Sequence, residues 1–235
     1  MKTHARTLSA ALAGMIALAV APAPAPAQSQ EFSIARIYIE YNQTANDLGF
    51  HVSLDGEDWT DLRILDPNGK RIFDVSAKGG YKNLGLTELF FEGAEPNLDD
   101  FPLEDLLALF PEGDYTMIGR TVDGQYLRSL ATLTHDVPDG PVVSTALVPA
   151  CDGNTREISW TSVTGPAPIL PDATVSIVGY QVLVSSFQIT LPGSSTSVTI
   201  PEEFYASLAP GTQPFEVLAI DVSGNQTITE GTFVK

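Results

Sequence analysis

The chain has 235 residues, 43% of them hydrophobic, and a formal net charge of −17. That apolar fraction supplies a packed core and excludes a disordered chain. Acidic residues number 29 against 12 Lys and Arg, which excludes partners held through basic patches, nucleic acid and anionic membrane surfaces among them.

The N-terminus reads as a secretory signal peptide over residues 1–27. Lys2 and Arg6 form a basic start, an apolar run extends from Leu8 to Val20, and Ala25-Pro26-Ala27 is an A-x-A site with cleavage before Gln28. The run is shorter than the roughly 20 residues a membrane span needs. Removing the segment takes away two cations and no acid, so the exported chain is more acidic still. The expectation is a secreted or periplasmic protein with no membrane span after cleavage. Cys151 is the one cysteine, so no intramolecular disulfide can form and stability must come from burial.

Residues 31–138 read as one β-rich unit. RIYIEYN alternates, with Ile37 and Ile39 on one face and Tyr38 and Glu40 on the other. GFHVSL repeats the pattern with Phe50, Val52 and Leu54 inward, which points His51 to solvent. DLRILD and KRIFDVS flank Asp66-Pro67-Asn68-Gly69, a hairpin turn in which Pro sets φ and Gly permits positive φ. DYTMIGRTV and QYLRSLATLTH flank a second turn, Asp123-Gly124. Between the hairpins Leu103, Leu106, Leu107 and Phe110 follow helical spacing, so a short helix is expected over 103–110, started by Pro102 and ended by Pro111 and Gly113.

Pro138, Gly140, Pro141 and Pro149 mark an extended, semi-rigid linker with the domain boundary near 140. The second unit, 142–235, reads as seven short strands: VVSTA, REISWTSV, VSIVGYQVLVSS, FQITLPG, TSVTIP, PFEVLAIDVS and TITEGTFV. That count and spacing predict an antiparallel sandwich.

The second unit resembles a fibronectin type III module. Trp160 in EISWTSV stands where the family's core Trp does, Gly179-Tyr180-Gln181-Val182 matches its third strand, and Leu208, Pro210, Gly211 and Thr212 supply its L-x-P-G-T turn. Ser223, Gly224 and Asn225 make the turn into the last strand. The resemblance covers residues 142–235 and implies an all-β fold. One family feature is absent: the position of the tyrosine-corner Tyr is Pro214, or Gln213 when counted back from Ala219, so its hydrogen bond must be replaced or lost. The first unit, through GLTELFFEG, LFPEGDY, IGRTVDG and LTHD, resembles the N-terminal part of uncharacterised exported bacterial proteins, which implies no activity. LFPEGDYTMIG also has the Pro-x-Gly-x-Tyr pattern found where strands of immunoglobulin-like sandwiches begin. The fold class expected is therefore all-β, with two antiparallel sandwich domains of immunoglobulin or fibronectin type, the first carrying one short helix.

The residues that carry chemistry are sparse. His135 beside Asp136 lacks a nucleophile in any G-x-S-x-G context. Glu92, Glu95, Asp99, Asp100, Glu104 and Asp105 offer paired carboxylates for glycosidic hydrolysis, but acids at a helix start are expected there in any case. Cys151 sits in a turn-like segment with no nearby His. No catalytic, cofactor or metal residues are assigned. Ca²⁺ is the cofactor the acids allow, at Asn42–Asp47 with Asp55, Glu57, Asp58 and Asp61, whose oxygens surround two expected turns. Tyr38, Tyr41 and Trp59 are the candidate binding surface, an aromatic platform if they share an outward face. The sequence thus points to a non-enzymatic exported protein for binding, adhesion or assembly, with a protein or polysaccharide partner outside the cytoplasm. The alternative is a secreted hydrolase, or its accessory module, using first-domain carboxylates.

Overall fold

The computed structural model describes residues 29–151 and 153–235; the expected signal peptide lies outside them. The chain is all-β. Its first half holds β1 (Ile34–Asn42), β2 (Asp47–Leu65), β3 (Arg71–Ser76), α1 (Gly80–Leu84), β4 (Leu86–Glu92), α2 (Leu103–Leu109), β5 (Gly113–Thr121) and β6 (Tyr126–Leu133). The second half holds β7 (Val143–Ala150), β8 (Gly153–Trp160), β9 (Ile177–Val184), β10 (Phe187–Pro192), β11 (Ser197–Thr199), α3 (Glu202–Ser207), β12 (Thr212–Asp221) and β13 (Gln226–Val234).

Turn chemistry sets the hairpins. Asp66 Oδ1 accepts the amides of Asn68 and Lys70, and Gly69 takes φ +78°, which closes β2 onto β3. Asn42 Oδ1 accepts the amides of Thr44 and Ala45 between β1 and β2. β2 is 19 residues long and organises the first half. Its N-terminal part pairs with β1 and β4, and its C-terminal part pairs with β3 and β5. The register shifts between Asp55 and Asp61 let one strand serve both parts, as bulges increase twist and bend a strand.

In the second half β11-β8-β7 packs on β10-β9-β12-β13, a three-on-four sandwich. Ile158 and Trp160 meet Tyr180, Val182 and Val217 in one core, with the Trp160 and Tyr180 rings 5.2 Å apart. Of the residues that carry the fibronectin resemblance, Trp160, Tyr180 and Val182 meet in that core and Leu208 packs against it. The missing corner bond is replaced: Gln213 Nε2 donates to the Ala209 carbonyl at 2.8 Å. The first half has its own corner, because Tyr115 Oη donates to the Pro111 carbonyl at 3.0 Å, also four residues upstream.

Several features differ from the sequence-based expectation. β1 and β13 pair in parallel, with Glu40 opposite Gln226, and this joins the two halves' sheets into one of ten strands. That pairing brings together segments 186 residues apart, which no local pattern announces. The expected extended linker is held against both halves. Val137 is fully buried, Pro138 accepts the Thr227 hydroxyl, and Gly140 donates to Gln43 Oε1 at 2.7 Å. Ala167, Ile169 and Leu170 of the second half pack on the first core. The first half also holds two short helices where one was expected, because Gly79 and Gly85 at positive φ bracket the single turn of α1. α2 forms over the expected stretch and turns Leu106 into the core. Phe110, at its end, stacks on Phe50 with centroids 4.0 Å apart. No helix among the described residues is long and apolar enough to cross a membrane.

Candidate metal centre

Strand alternation puts Tyr38, Glu40, Gly49, His51 and Glu92 on one face of the β1-β2-β4 sheet, the face away from the first core. His51 stands between Tyr38 on β1 and Glu92 on β4, and Glu40 stands opposite Gly49. After Glu92 the chain keeps following β2, but between the pairs His51↔Glu92 and Asp47↔Asn97 it holds one residue more than β2 does. The resulting bulge swings Glu95 over the face, an established way to re-aim a side chain. Gly49 makes room for it: a Cβ there would lie 2.6 Å from Glu95 Cγ.

This corrects the expectation that His51 faces water. It is 3% exposed, covered by Glu95, by the Tyr38 ring at 5.0 Å and by the Phe90 ring at 6.0 Å. Neither ring nitrogen has a hydrogen-bond partner. A buried imidazole with both nitrogens unsatisfied costs free energy and calls for a physical reason.

His51 Nε2 lies 3.5 Å from Glu95 Oε1 and 3.8 Å from Glu40 Oε1. Those separations are too long for hydrogen bonds, which run to about 3.2 Å. They suit atoms sharing one ion, since ligands about 2.1 Å from a tetrahedral metal sit about 3.4 Å from one another. The three ligand atoms lie within 4.8 Å of one another, and no other group of three His, Cys, Asp or Glu does so among the described residues. Gln226, from the far half of the ten-stranded sheet, donates to the other oxygen of Glu40 and orients it.

The electrostatics favour a cation. Burial pushes the Glu40 carboxyl above its ordinary range, with Glu95 and Glu92 adding to the rise; the neighbouring imidazole and Gln226 work against it. Glu95 is pushed up to about 7, first by burial, then by the charges of Glu92 and Asp47 and a hydrogen bond with Glu92. Two carboxylates face the imidazole and Glu92 and Asp47 crowd Glu95, and a divalent ion would relieve the repulsion and satisfy His51 Nε2. One nitrogen and two carboxylates suit Zn²⁺, Mn²⁺ or Fe²⁺ better than Ca²⁺, which takes six to eight oxygens.

The other sequence candidates fall elsewhere. Trp59 is fully buried and Tyr41 is 4% exposed, both in the first core, while Tyr38 is half-buried on the opposite face. The aromatic platform is therefore not assembled. Trp59 is interior because β2 runs straight through it and places it in mid-strand. Asp55, Glu57, Asp58 and Asp61 likewise lie within β2 and not in a loop, and Asp55 accepts the Ser33 hydroxyl. His135 Nε2 is 2.9 Å from the Phe110 carbonyl, and Asp136 accepts the Thr174 amide, so they form no catalytic pair. Cys151 is exposed. Sequence reading missed His51 as a site because its strand neighbours alternate normally. Glu95 was noted only as one acid in a crowd, and the Gly two residues before His51 was the one local clue to close approach on that face.

No family model matches this chain, and no curated protein matches it. It is similar to the Clostridium perfringens spore cortex lytic enzyme SleM (19% identity, TM-score 0.32), with 42% of this chain and 28% of that one covered. It is also similar to a two-domain fibronectin type III segment of chicken tenascin (14%, TM-score 0.26), covering 87% of this chain and 99% of that one. A third is the BSP domain of a biofilm-associated protein (13%, TM-score 0.27; 87% and 30% covered). At these values the likenesses bear on neither activity nor ligand.

Proposed function

We propose that this is an exported binding protein that holds a divalent transition-metal ion at Glu40, His51 and Glu95 and uses the sheet face around it for adhesion or assembly. The observation that carries the reading is His51, buried with both nitrogens unpartnered and aimed at two carboxylates. Three protein ligands leave coordination positions for water or for a carboxylate of a protein or polysaccharide partner. The strongly acidic composition and the expected signal peptide support a place outside the cytoplasm, secreted or periplasmic. The hydrolase alternative would use the same ion to activate water. Against it, the three ligands line neither the cleft around His135 and Asp172 nor the cleft around Phe50 and Phe91, where a substrate would be enclosed.

Calorimetric titration of the chelator-stripped protein with Zn²⁺ and Mn²⁺ tests the reading, with Ca²⁺ as a separate arm for the acids of Asn42–Asp61. One equivalent of Zn²⁺ or Mn²⁺ is expected to bind, at least tenfold more weakly in Glu95→Gln and Gly49→Ala. The second variant removes no ligand and only displaces Glu95. Binding unchanged in both variants would overturn the assignment.

A further inference from the structure

We infer that the cleft between β3, β4 and the end of α2 binds a small amphiphile, an apolar chain or ring ending in one anionic group. The cleft encloses about 420 Å³, inside the range of roughly 300–1,000 Å³ typical of small-molecule sites. Its floor is Ile37, Phe50 and Val52, the inner face of β1 and β2. Its walls are Phe91, stacked on Phe73 at 4.6 Å, and Phe110, which stacks on Phe50. The floor itself is buried, but the walls Phe73, Phe91 and Phe110 are only half-buried and Leu109 at the lip is 59% exposed. Apolar surface left in water costs roughly 25 cal/mol per Å² relative to covering it, and an apolar ligand against these walls would recover that.

The charge at the mouth selects the ligand class. Lys70 and Arg71, at the start of β3, line the cleft together with apolar residues and Gly93, and no Asp or Glu does. The chain carries 29 acids against 12 Lys and Arg, so a lining with two cations and no acid runs against its average. Asp74 holds the Arg71 guanidinium at 2.8 Å. Lys70 has no carboxylate partner among the described residues, which leaves its ammonium to meet an anionic head group at the cleft mouth. The tail then lies against aromatic rings in a space without a competing acceptor, an arrangement typical of concave apolar sites with a few polar groups fixing orientation.

The experiment is a titration of the full chain in EDTA with dodecanoate below its micelle concentration, with dodecyltrimethylammonium and dodecanol in parallel. Dodecanoate is expected to bind one to one and at least tenfold more tightly than the cation. Lys70→Glu and Leu109→Glu, both at exposed positions, are expected to weaken dodecanoate at least tenfold. Lys70→Glu should leave dodecanol within a factor of three. Absence of saturable dodecanoate binding, or equal binding of the two charged ligands, overturns the inference. So does a concentration-dependent dimer that dodecanoate fails to dissociate, because the cleft would then be an interface. Glu95→Gln should bind dodecanoate normally, which separates failure here from failure of the metal reading.

Discussion

The two halves solve the same problem differently. Both are β layers around a core, and both fasten a strand to the backbone four residues upstream, through Tyr115 in the first and Gln213 in the second. The second half closes as three strands on four, with Trp160 against Tyr180. The first half stretches β2 to 19 residues, gives it four partners, and inserts α1, β4 and α2 between its hairpins. That insertion brings Glu95 over His51 on the outer face and leaves the Phe50–Phe91 cleft open on the inner one. A regular sandwich has few places for a ligand, and both proposed sites lie in the irregular one.

The comparison can be broken most sharply at the two buried indoles. Trp59→Ala and Trp160→Ala should each cost about 3–5 kcal/mol. Because one sheet runs through both halves, each variant should still melt in one calorimetric transition. Two resolved transitions would show the halves to be independent.

Next in size is the ion. Free Zn²⁺ at about 100 times its Kd should stabilise the protein by about 2.7 kcal/mol. The second core has no equivalent group among the described residues, so at the same free Zn²⁺ the at least tenfold weaker Gly49→Ala should keep no more than about 1.4 kcal/mol of the gain, read as a Zn²⁺-dependent shift in Tm cut to half or less.

The corners should differ by less. Tyr115→Phe leaves the Pro111 carbonyl without its buried donor and should cost about 1 kcal/mol in urea unfolding. Gln213→Ala acts at an exposed bond and should cost a few tenths. Equal costs would mean that the amide replaces the phenol fully.

The smallest effect is on pH. Glu95 holds its proton more tightly folded (about 7) than its ordinary 4.5, so the folded state binds more protons between those values. Its contribution to stability is fully present below about 4.5 and is lost as pH rises through about 7. Glu95→Gln should flatten that stretch of the metal-free stability profile. By the same competition Zn²⁺ affinity should rise through about pH 7, as the Glu95 carboxyl loses its proton and becomes free to ligate.

The strand runs of the second half, its core Trp160 and Tyr180, the hairpins at Asp66–Gly69 and Asp123–Gly124 and the helix ending at Phe110 were all readable from the residues. Each rests on chemistry confined to a few neighbours: alternation, turn φ preference and helical spacing. The same locality explains the errors. Period-two alternation predicts that His51 points away from Phe50, and it does, but alternation cannot reveal that a bulge forty residues later lays Glu95 across that outer face. Trp59 followed acids that looked like a turn, and only the continuation of β2 made it core.

The sequence by itself determined the all-β class, the acidic charge, the absence of an internal disulfide and most element positions, because composition and short-range periodicity carry them. Tertiary structure decided the rest. The parallel Glu40–Gln226 pairing, the clamped segment around Pro138, the burial of His51 between two carboxylates and the open cleft under Phe91 all join residues distant along the chain. Such contacts form because a bulge or a sheet edge brings surfaces together, and burial then changes what a familiar side chain can do.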